Sequence, residues 1–528
     1  KYEVEKRKQT WLEYLMTLAD KETGKCTTVI IDTSPAGSGK TKAAAELRLT
    51  DLRQAGLFAK RLVYIAPEIK RTPVPELERF RLFVGRDQEC VFYDRLRQLE
   101  EEGLTQIRKR ICAHCPVRKR CGYYAQRQTG RRYWRISWQS YSPQTGDFVI
   151  LDEFSRLQLH KHIEVSKGEY DRLMQSVKRF GTYGALMDAL TQLQEWLKGK
   201  DRTNDEVKEL LRRAKTSEWD WFAHEILTLH SDIRPTREYV FGQRNDKPSG
   251  FWWALDIADI MRGLTDGQIW IEKGRLKITR VDPKLKALRE KASGILILDA
   301  TVTQTEVWEL LKMPVVNIRS DEPEVYPKVY QIPLGALSHR ATARTQEEMH
   351  RRAKIAVKAA QAKGLLPKKA KIGVLAHKAA AQIAQRVWGR KAIIGWWGRD
   401  ERATNVFYDE KVTVLVCVGL PHRNISAIAG EKGKGGYKRK ALRKARLDRE
   451  GNFWTVIKEF ADIELAGAVR REVAISYIQA AGRLRQGRRK EQCYMFVFDT
   501  EPLPPELNPE VIPPEEILPP QILQEWQR

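Results

Sequence analysis

The chain has 528 residues, enough for about three or four domains that each bury a core. Its 94 Lys and Arg residues outnumber its 68 Asp and Glu residues, which gives a formal net charge of +26 at pH 7. This charge favours a polyanion such as nucleic acid as partner. The sequence has no apolar stretch of roughly 20 residues and no apolar signal core at its start. We therefore expect no membrane association and an intracellular, cytoplasmic location.

The first part of the chain alternates short apolar runs with helix-forming stretches. Residues 28–32, 62–66 and 148–151 are apolar runs that predict buried strands. The stretch from Thr41 onward is rich in Ala, Leu and Arg and predicts a helix. Alternation of this kind predicts an α/β fold with a parallel sheet and helices on both faces.

The middle of the chain, from Phe154 to about residue 292, changes to amphipathic helical patterns. One predicted helix begins with a capping box at residues 203–206, and a predicted hairpin turns at residues 273–274. Alternation then resumes with strands predicted at 294–298, 371–375, 412–417 and 494–498. A basic run from Lys432 predicts a loop followed by a helix, and the residues after Thr500 form a Pro-rich tail.

A glycine-rich segment lies between the first predicted strand and the first predicted helix. Two glycines let the backbone bend so that its amides face the β-phosphate of a nucleotide. A lysine then supplies charge to the β- and γ-phosphates, and a threonine hydroxyl is available to Mg²⁺. The segment predicts an ATP-binding loop formed by Ser34, Gly37, Ser38, Gly39, Lys40 and Thr41. Ser34 replaces the first glycine of the general pattern, where a small residue suffices.

Two further segments carry groups for phosphoryl transfer. Asp152 and Glu153 end a predicted strand, where Asp152 can hold Mg²⁺ and Glu153 can polarise the attacking water. Carboxylate pairs at this position also commonly cap a strand. Near the carboxyl terminus, Arg483 and Arg485 precede another predicted strand. They can reach the γ-phosphate across a cleft as arginine fingers, or they can belong to a solvated helix face.

Four of the seven cysteines lie between the glycine-rich segment and the acidic pair. Cys90, Cys112, Cys115 and Cys121 are separated by 21, 2 and 5 residues. An odd, clustered set does not indicate a disulfide framework and favours a metal site in a reducing compartment. Four thiolates suit either tetrahedral zinc or a [4Fe–4S] cluster, and spacing does not separate the two. Basic residues interleaved with aromatic ones surround the cysteines, as is typical of single-strand binding.

The order of these motifs resembles that of the iron–sulfur helicases of superfamily 2, the XPD and DinG-like group. In that family a glutamine upstream of the loop reads adenine, and Gln9 matches its position. Gln479 begins the segment that resembles the arginine-finger motif. The family places its iron–sulfur cluster between the phosphate loop and the acidic box, which favours iron–sulfur over zinc here. Two departures are Ser155, in place of the family's His, and Gln486, in place of its second finger arginine.

The resemblance implies two RecA-like parallel-sheet lobes, with an iron–sulfur module and a helical arch-like insertion in the first. Lobe 1 is expected to comprise three pieces, 1–84 with the phosphate loop, 137–163 with the acidic box, and 287–315. The iron–sulfur module is expected at 85–136 and the helical insertion at 164–286. Lobe 2 is expected at 316–500, and the Pro-rich tail at 501–528.

The implied activity is that of an ATP-dependent helicase that moves 5′ to 3′ on single-stranded DNA. Its expected cofactors are ATP, Mg²⁺ and a [4Fe–4S] cluster, and its expected partners are single-stranded and forked DNA. We expect a monomeric motor, and the missing initial methionine indicates a piece of a longer replication or repair protein. The alternatives are a zinc-bearing, RNA-directed or translocating-only ATPase, and a nucleic-acid scaffold with a decayed motor.

Overall fold

The computed structural model describes most of the chain in segments. These are residues 2–34, 38–67, 77–101, 112, 115–128, 130–178, 184–214, 260, 263–319, 325–333, 342–398, 400, 406–419, 421, 425–435, 441–447, 453–460, 462–499 and 502–522. Among these residues, no helix combines the length and the apolar character that crossing a bilayer needs.

The described strands are numbered in chain order. The first twelve are β1 Ala19–Asp20, β2 Lys25–Cys26, β3 Val29–Asp32, β4 Arg61–Ile65, β5 Arg81–Leu82, β6 Tyr133–Ile136, β7 Asp147–Asp152, β8 His160–Ser166, β9 Gln268–Glu272, β10 Arg275–Val281, β11 Ala292–Leu298 and β12 Val315–Ile318. The remaining eight are β13 Lys328–Ile332, β14 Ile372–Ala376, β15 Ile393–Trp396, β16 Val414–Val418, β17 Ala441–Leu447, β18 Phe453–Phe460, β19 Tyr494–Phe498 and β20 Glu510–Val511.

The described α-helices are numbered in the same way. The first nine are α1 Tyr2–Leu18, α2 Lys40–Glu46, α3 Leu49–Gln54, α4 Arg86–Glu89, α5 Tyr93–Glu101, α6 Gly122–Gln128, α7 Lys167–Lys178, α8 Ala185–Trp196 and α9 Asn204–Leu211. The others are α10 Lys284–Lys291, α11 Gln304–Leu311, α12 Ala343–Ala362, α13 Ala381–Trp388, α14 Val406–Asp409, α15 Ile425–Glu431, α16 Ile463–Arg483 and α17 Pro514–Ile517.

The first lobe is built on a seven-stranded sheet of order β12-β3-β11-β7-β4-β6-β5. All of its strand pairs are parallel. Alternate residues of β7 face opposite cores, since Phe148 and Ile150 pack with α1 and α2 while Val149 and Leu151 pack on the other side. Burial on both faces explains why these strands are continuous apolar runs.

The second lobe repeats this design in a six-stranded sheet of order β15-β14-β16-β19-β13-β20. Its strand pairs are parallel as well, and separate apolar clusters cover its two faces. The Pro-rich tail contributes β20 to the sheet edge, and its Ile512 and Ile517 join one of the clusters. The two parallel sheets confirm the predicted α/β fold of two RecA-like lobes.

The insertion in the first lobe combines helices with an antiparallel sheet. Strands β8, β10 and β9 form this sheet, and α7, α8 and α9 pack against it around Tyr170, whose hydroxyl donates to the Leu190 carbonyl oxygen at 3.0 Å. The predicted hairpin is present, with positive φ at both Lys273 and Gly274. The predicted capping box is also present, because Thr203 accepts from the Glu206 amide. The alternation of exposed and buried residues in β8 was not recognised in the sequence.

Two local predictions differ from the structure. The helix predicted from Thr41 is two helices, α2 and α3, because the chain is extended at Leu47 and Arg48 and restarts where Asp51 accepts from the Arg48 amide at 3.0 Å. The helix predicted within the basic run from Lys432 is wrong, since Ala441–Leu447 forms β17 and pairs antiparallel with β18. β18 is rich in aromatic and β-branched residues, which favour a strand.

Candidate functional site

Three carboxylates meet at the carboxyl edge of the first sheet. Strands β3, β11 and β7 are neighbours, and their ends carry Asp32, Asp299 and Asp152. Parallel strands end at the same edge, and ligands of open α/β sheets bind there. The sequence motifs identified Asp152, but Asp32 was not recognised. The edge therefore concentrates negative charge where the phosphate loop begins.

The described part of the phosphate loop directs Lys40 toward these carboxylates. Gly39 has a φ of 90° and immediately precedes α2, in the left-handed region that favours glycine. The Lys40 ammonium donates to the Ser34 carbonyl oxygen. Partial removal from water lowers the pKa of Lys40, and the carboxylates of Asp32 and Asp152 oppose this shift. Ser38 also lies beside the helix start, whereas Gly37 lies outside the described residues.

Tyr64 joins two of the predicted Mg²⁺ ligands and was not predicted from the sequence. Its hydroxyl donates to Asp152 Oδ2 and is also hydrogen-bonded to Thr41. Loss of hydration raises the pKa of Asp152, and the bonds from Tyr64 and the Lys40 charge oppose the rise. The Thr41 hydroxyl and the Asp152 carboxylate are oxygen donors that suit Mg²⁺, and the charge of the neighbouring Lys40 suits a phosphate bound to that ion. The residues present therefore fit a Mg–nucleotide complex.

Helix α1 holds the base of the loop through a buried clasp. Arg7 Nη1 donates to Asp32 Oδ2 at 2.8 Å and to Ser34 Oγ at 2.6 Å. The Trp11 indole donates to the same Asp32 oxygen at 2.9 Å, and the Ser34 amide donates to Asp32 Oδ1 at 3.0 Å. Gln9 instead lies on the exposed face of α1, where it donates to Glu13 at 3.2 Å. The described contacts thus join Arg7 and Trp11, rather than Gln9, to the loop.

Ser155 connects the acidic box to the segment that follows β11. The Ser155 amide donates to Asp299 Oδ2 at 2.8 Å, and its hydroxyl lies 3.2 Å from that of Thr301. Thr301 in turn donates from its amide and its hydroxyl to Asp299 Oδ1, at 2.8 and 2.7 Å. A serine can thus link the two segments where the resembling family has His.

Helix α16 of the second lobe contacts the first lobe at two points. Arg471 Nη2 donates to the Thr301 carbonyl oxygen at 3.0 Å and to Glu306 Oε2 at 2.8 Å. At the helix end, Arg483 Nη2 donates to Glu153 Oε1 at 3.2 Å. The sequence motifs indicated Arg483, whereas Arg471 stands in an ordinary helical stretch without a motif. The structure therefore brings together Glu153 and Arg483, which are 330 residues apart.

The other residues of the arginine segment have different surroundings. Arg485 has a φ of 47°, and its guanidinium lies 5.1 Å from the centre of the Tyr408 ring. Gln486 donates to the Glu491 carbonyl oxygen at 3.0 Å and accepts from the Cys493 amide, which commits its side chain to the local turn. Gln479 is buried, and its Oε1 has no hydrogen-bond partner among the described residues.

The four clustered cysteines line one small pocket beside the first sheet. Its other walls include Phe92, Leu96, Val117, Arg118, Tyr123 and Tyr124. Burial raises the pKa of Cys112 to about 11 and also raises the pKa of Cys90 and Cys121. In the described part of the chain, no three His, Cys, Asp or Glu side chains are placed to hold a single metal ion. In a four-iron cluster each thiolate binds a different iron, so four thiols around an apolar pocket fit that group chemically.

The aromatic residues near the cysteines are largely part of the core. Tyr123 and Trp134 are buried against Phe83, with ring centres 5.5 and 5.9 Å from it. Tyr124 is half-buried and has the Arg118 guanidinium 4.2 Å from its ring centre. The alternation of basic and aromatic residues thus arises in part from core packing. The stretch 102–111, which includes Arg108 and Arg110, lies outside the described residues.

Comparisons with known proteins find similarity in three-dimensional structure alone. No protein-family model matches the chain, and no curated protein matches it. A solved XPD helicase matches with 13% identity and a TM-score of 0.47 over 96% of this chain and 99% of its own. Xpd4 of S. tokodaii matches with 11% identity and a TM-score of 0.39 over 96% and 99%. The Escherichia coli DEAH/RHA helicase HrpB matches with 12% identity and a TM-score of 0.33 over 93% and 42%.

Proposed function

We propose that the chain is an ATP-hydrolysing DNA helicase that moves on single-stranded DNA. The observation that carries this proposal is the contact between Arg483 of the second lobe and Glu153 of the first. Glu153 directly follows Asp152, whose carboxylate interacts with the Lys40 charge. A nucleotide bound at Lys40 would lie between a polarising carboxylate on one lobe and an arginine on the other. Closure and opening of the lobes would then follow binding and hydrolysis.

The chain's own residues have distinct parts in this reaction. Lys40 neutralises the phosphates, Glu153 orients the attacking water, and Arg483 stabilises the charge that develops in the transition state. Mg²⁺, held by Thr41 and Asp152, supplies further charge neutralisation when bound. The Arg483–Glu153 ion pair has to open for the guanidinium to reach a phosphate. The pair therefore keeps the finger close to the site before nucleotide binds.

We assign to helix α16 the coupling of ATP hydrolysis to movement of the lobes. Arg471 and Arg483 lie on this one helix, and both contact the first lobe. Release of Arg483 toward a phosphate would leave Arg471 as the fixed point on Thr301 and Glu306. We therefore propose that the helix pivots near Arg471, and that Ser155 links this point to the acidic box.

The direct test is strand separation by the purified protein on forked duplexes. The proposal predicts ATP-dependent separation of a DNA fork with a 5′ single-stranded tail, and none with a 3′ tail. Stimulation of hydrolysis by RNA but not by DNA would identify the RNA-directed alternative. Stimulation without strand separation would identify a translocase that does not unwind.

We further propose that Cys90, Cys112, Cys115 and Cys121 hold a [4Fe–4S] cluster that stabilises the module at 85–136. Anaerobically purified protein should contain about four iron and four sulfide ions per chain. Cys115→Ser should release iron, and unwinding should fall more than basal hydrolysis because the ATP site lies on other elements. Cys26→Ser is the matched control, because Cys26 lies outside the pocket and should leave the iron content unchanged. About one zinc per chain without iron would refute the cluster.

A further inference from the structure

A second cavity of about 470 Å³ lies at the amino edge of the first sheet, opposite the edge that carries Lys40. It is bounded by residues at or just before the starts of strands β4, β6 and β7, among them Arg61, Arg132 and Gln144. Its size is within the range of small-molecule sites in proteins, which is about 300–1,000 Å³. Neither the phosphate loop nor the acidic box contributes to it.

The rim of this cavity is cationic. Lys60, Arg131 and Arg132 are exposed there, and no carboxylate contacts them among the described residues. Arg61 is different, because it donates to both oxygens of Asp147 at 2.6 and 2.7 Å. No Asp or Glu side chain is among the described lining residues. Three cations therefore stand together without a counter-charge on the described surface.

The floor of the cavity is apolar. Val63, Phe83, Trp134 and Ile136 line it, and all four are buried in the core. The Trp134 indole donates to the Arg131 carbonyl oxygen at 3.1 Å, which fixes the rim relative to the floor. Tyr124 lines both this cavity and the cysteine pocket. The hydrogen bond thus ties the backbone of the rim at Arg131 to the indole of the floor.

We propose that this cavity binds one phosphorylated nucleoside unit, with its phosphate at Arg131 and Arg132 and its base on the floor around Trp134. A nucleotide combines a flat apolar ring with an anion, and the cavity offers an apolar floor below a cationic rim. Rings and cations in this combination bind single strands without sequence preference. The lack of carboxylates at the rim distinguishes this site from the magnesium-dependent edge of the same sheet.

The same chemistry is found in a free nucleotide and in one unit of a DNA strand. The full chain is therefore titrated with inorganic phosphate, thymidine monophosphate, a short oligo(dT) strand and an abasic strand of equal length. If thymidine monophosphate competes for the cavity as effectively as the oligo(dT) strand does, the ligand is a free nucleotide. Competition by the strand alone identifies one unit of a strand. Equal binding of the abasic strand would overturn the role of the floor and with it the proposal.

The decisive variant is the double substitution Arg131→Ala and Arg132→Ala, measured with oligo(dT) at several salt concentrations. Affinity should fall about tenfold or more, because two charged hydrogen-bond donors are lost. The slope of log K against log salt should become shallower by about 0.7, because one phosphate contact is lost. Basal ATP hydrolysis should be unchanged, because neither arginine contacts the nucleotide site.

The matched control is Arg212→Ala with Arg213→Ala, an exposed Arg-Arg pair at the end of α9. It removes the same charge and should change affinity less than about twofold. Equal losses in both double variants would overturn the proposal, since they would reflect net charge alone. If DNA stimulates hydrolysis but the two double variants have the same DNA affinity, the proposed cavity site is wrong and the helicase proposal stands. If only the Arg131, Arg132 double variant loses DNA affinity and DNA does not stimulate hydrolysis, the cavity site stands and the helicase proposal is wrong.

A location-specific readout is cross-linking of a strand that contains 5-iodouracil. Irradiation should join the base to an aromatic side chain of the floor, in the peptide with Trp134 or the one with Tyr124. The cross-link should be lost in the Arg131, Arg132 double variant and kept in the Arg212, Arg213 control. Cross-links confined to other peptides would contradict the proposed position of the base.

Discussion

The two edges of the first sheet use charge in opposite ways. At the carboxyl edge, Asp32, Asp152 and Asp299 each accept several hydrogen bonds from neighbouring residues. At the amino edge, Asp147 is fully occupied by Arg61, Tyr141 and Gln144, and the cations around the cavity face solvent. One edge therefore presents carboxylates held in place by hydrogen bonds. At the other edge, the exposed cations around the cavity have no carboxylate partner among the described residues.

This difference indicates what each edge can bind. Oxygen ligands beside a lysine suit a metal-bound triphosphate, whose own charge is neutralised in part by Mg²⁺. A cationic rim without carboxylates suits phosphates that come without a metal ion. The same parallel sheet can thus support hydrolysis at one edge and strand contact at the other. The variants below test this division.

The largest effect is expected from Lys40→Ala, which removes the charge that faces the phosphates. Hydrolysis should fall to background, because no other cation of the described site replaces Lys40 beside Asp152. The fold and most of the DNA affinity should remain, since the amino edge is untouched. Lys42→Ala, an exposed lysine two residues further along α2, should keep the parent rate. Steady-state phosphate release measures the rates of both variants. A Lys40→Ala variant that hydrolyses ATP near the parent rate would contradict the assignment of the chain as an ATP-driven motor.

The next largest effect is expected from Arg483→Ala. Loss of an arginine finger typically slows turnover by about 10³ to 10⁵, roughly 4–7 kcal/mol in the barrier. ATP binding should be largely kept. Arg485→Ala should lose less, because Arg485 packs on Tyr408 instead of contacting Glu153. Arg470→Ala, exposed on the same helix, is the control. Equal and small losses at positions 483 and 485 in single-turnover assays would show that the finger is misassigned.

Arg7→Met tests the buried clasp under the phosphate loop. The Arg7 side chain is only 7% exposed and donates to Asp32 and Ser34. Removing one partner of a buried ion pair typically costs about 3–5 kcal/mol. We expect faster amide exchange in Val29–Asp32 and weaker ATP binding, measured by hydrogen exchange and by nucleotide titration. Unchanged exchange together with unchanged ATP affinity would show that the clasp does not support the loop.

The smallest effect is expected from Arg61→Met at the opposite edge. The Arg61 side chain is 25% exposed, and Asp147 keeps its bonds from Tyr141 and Gln144. Loss of the pair should cost about 1–3 kcal/mol. Amide exchange in Arg61–Ile65 should accelerate while ATP affinity stays constant. A larger effect on ATP affinity than that of Arg7→Met would contradict the division between the two edges.

The sequence predicted the elements whose signal is local. The apolar runs at β3, β4 and β7, the glycine-rich loop and the acidic strand end all combine residue type with position. The structure has strands at the three apolar runs, and α2 begins directly after Gly39. Strands β5 and β20, of two residues each, have too little sequence to produce a pattern. Alternation in β8 was hidden among polar residues on its exposed face.

The residues that complete the site were harder to predict for a physical reason. Arg7, Trp11, Tyr64 and Arg471 each stand alone in an ordinary helix or strand, and each acts on a partner far away in the sequence. Only tertiary contact reveals them. Arg7, two positions before Gln9, carried the one signal available in the sequence. A lone arginine on an apolar helix face requires a buried carboxylate partner.

The measurement that tests the central claim most directly is ATP hydrolysis by the full chain as a function of single-stranded DNA concentration. The account predicts a basal rate that rises with DNA and saturates, because the strand contact favours the closed arrangement of Arg483 and the nucleotide. The same titration with Lys40→Ala should stay flat at background. A parent rate that is equally flat, with ATP bound and DNA bound, would contradict the assignment of this site as a DNA-stimulated motor.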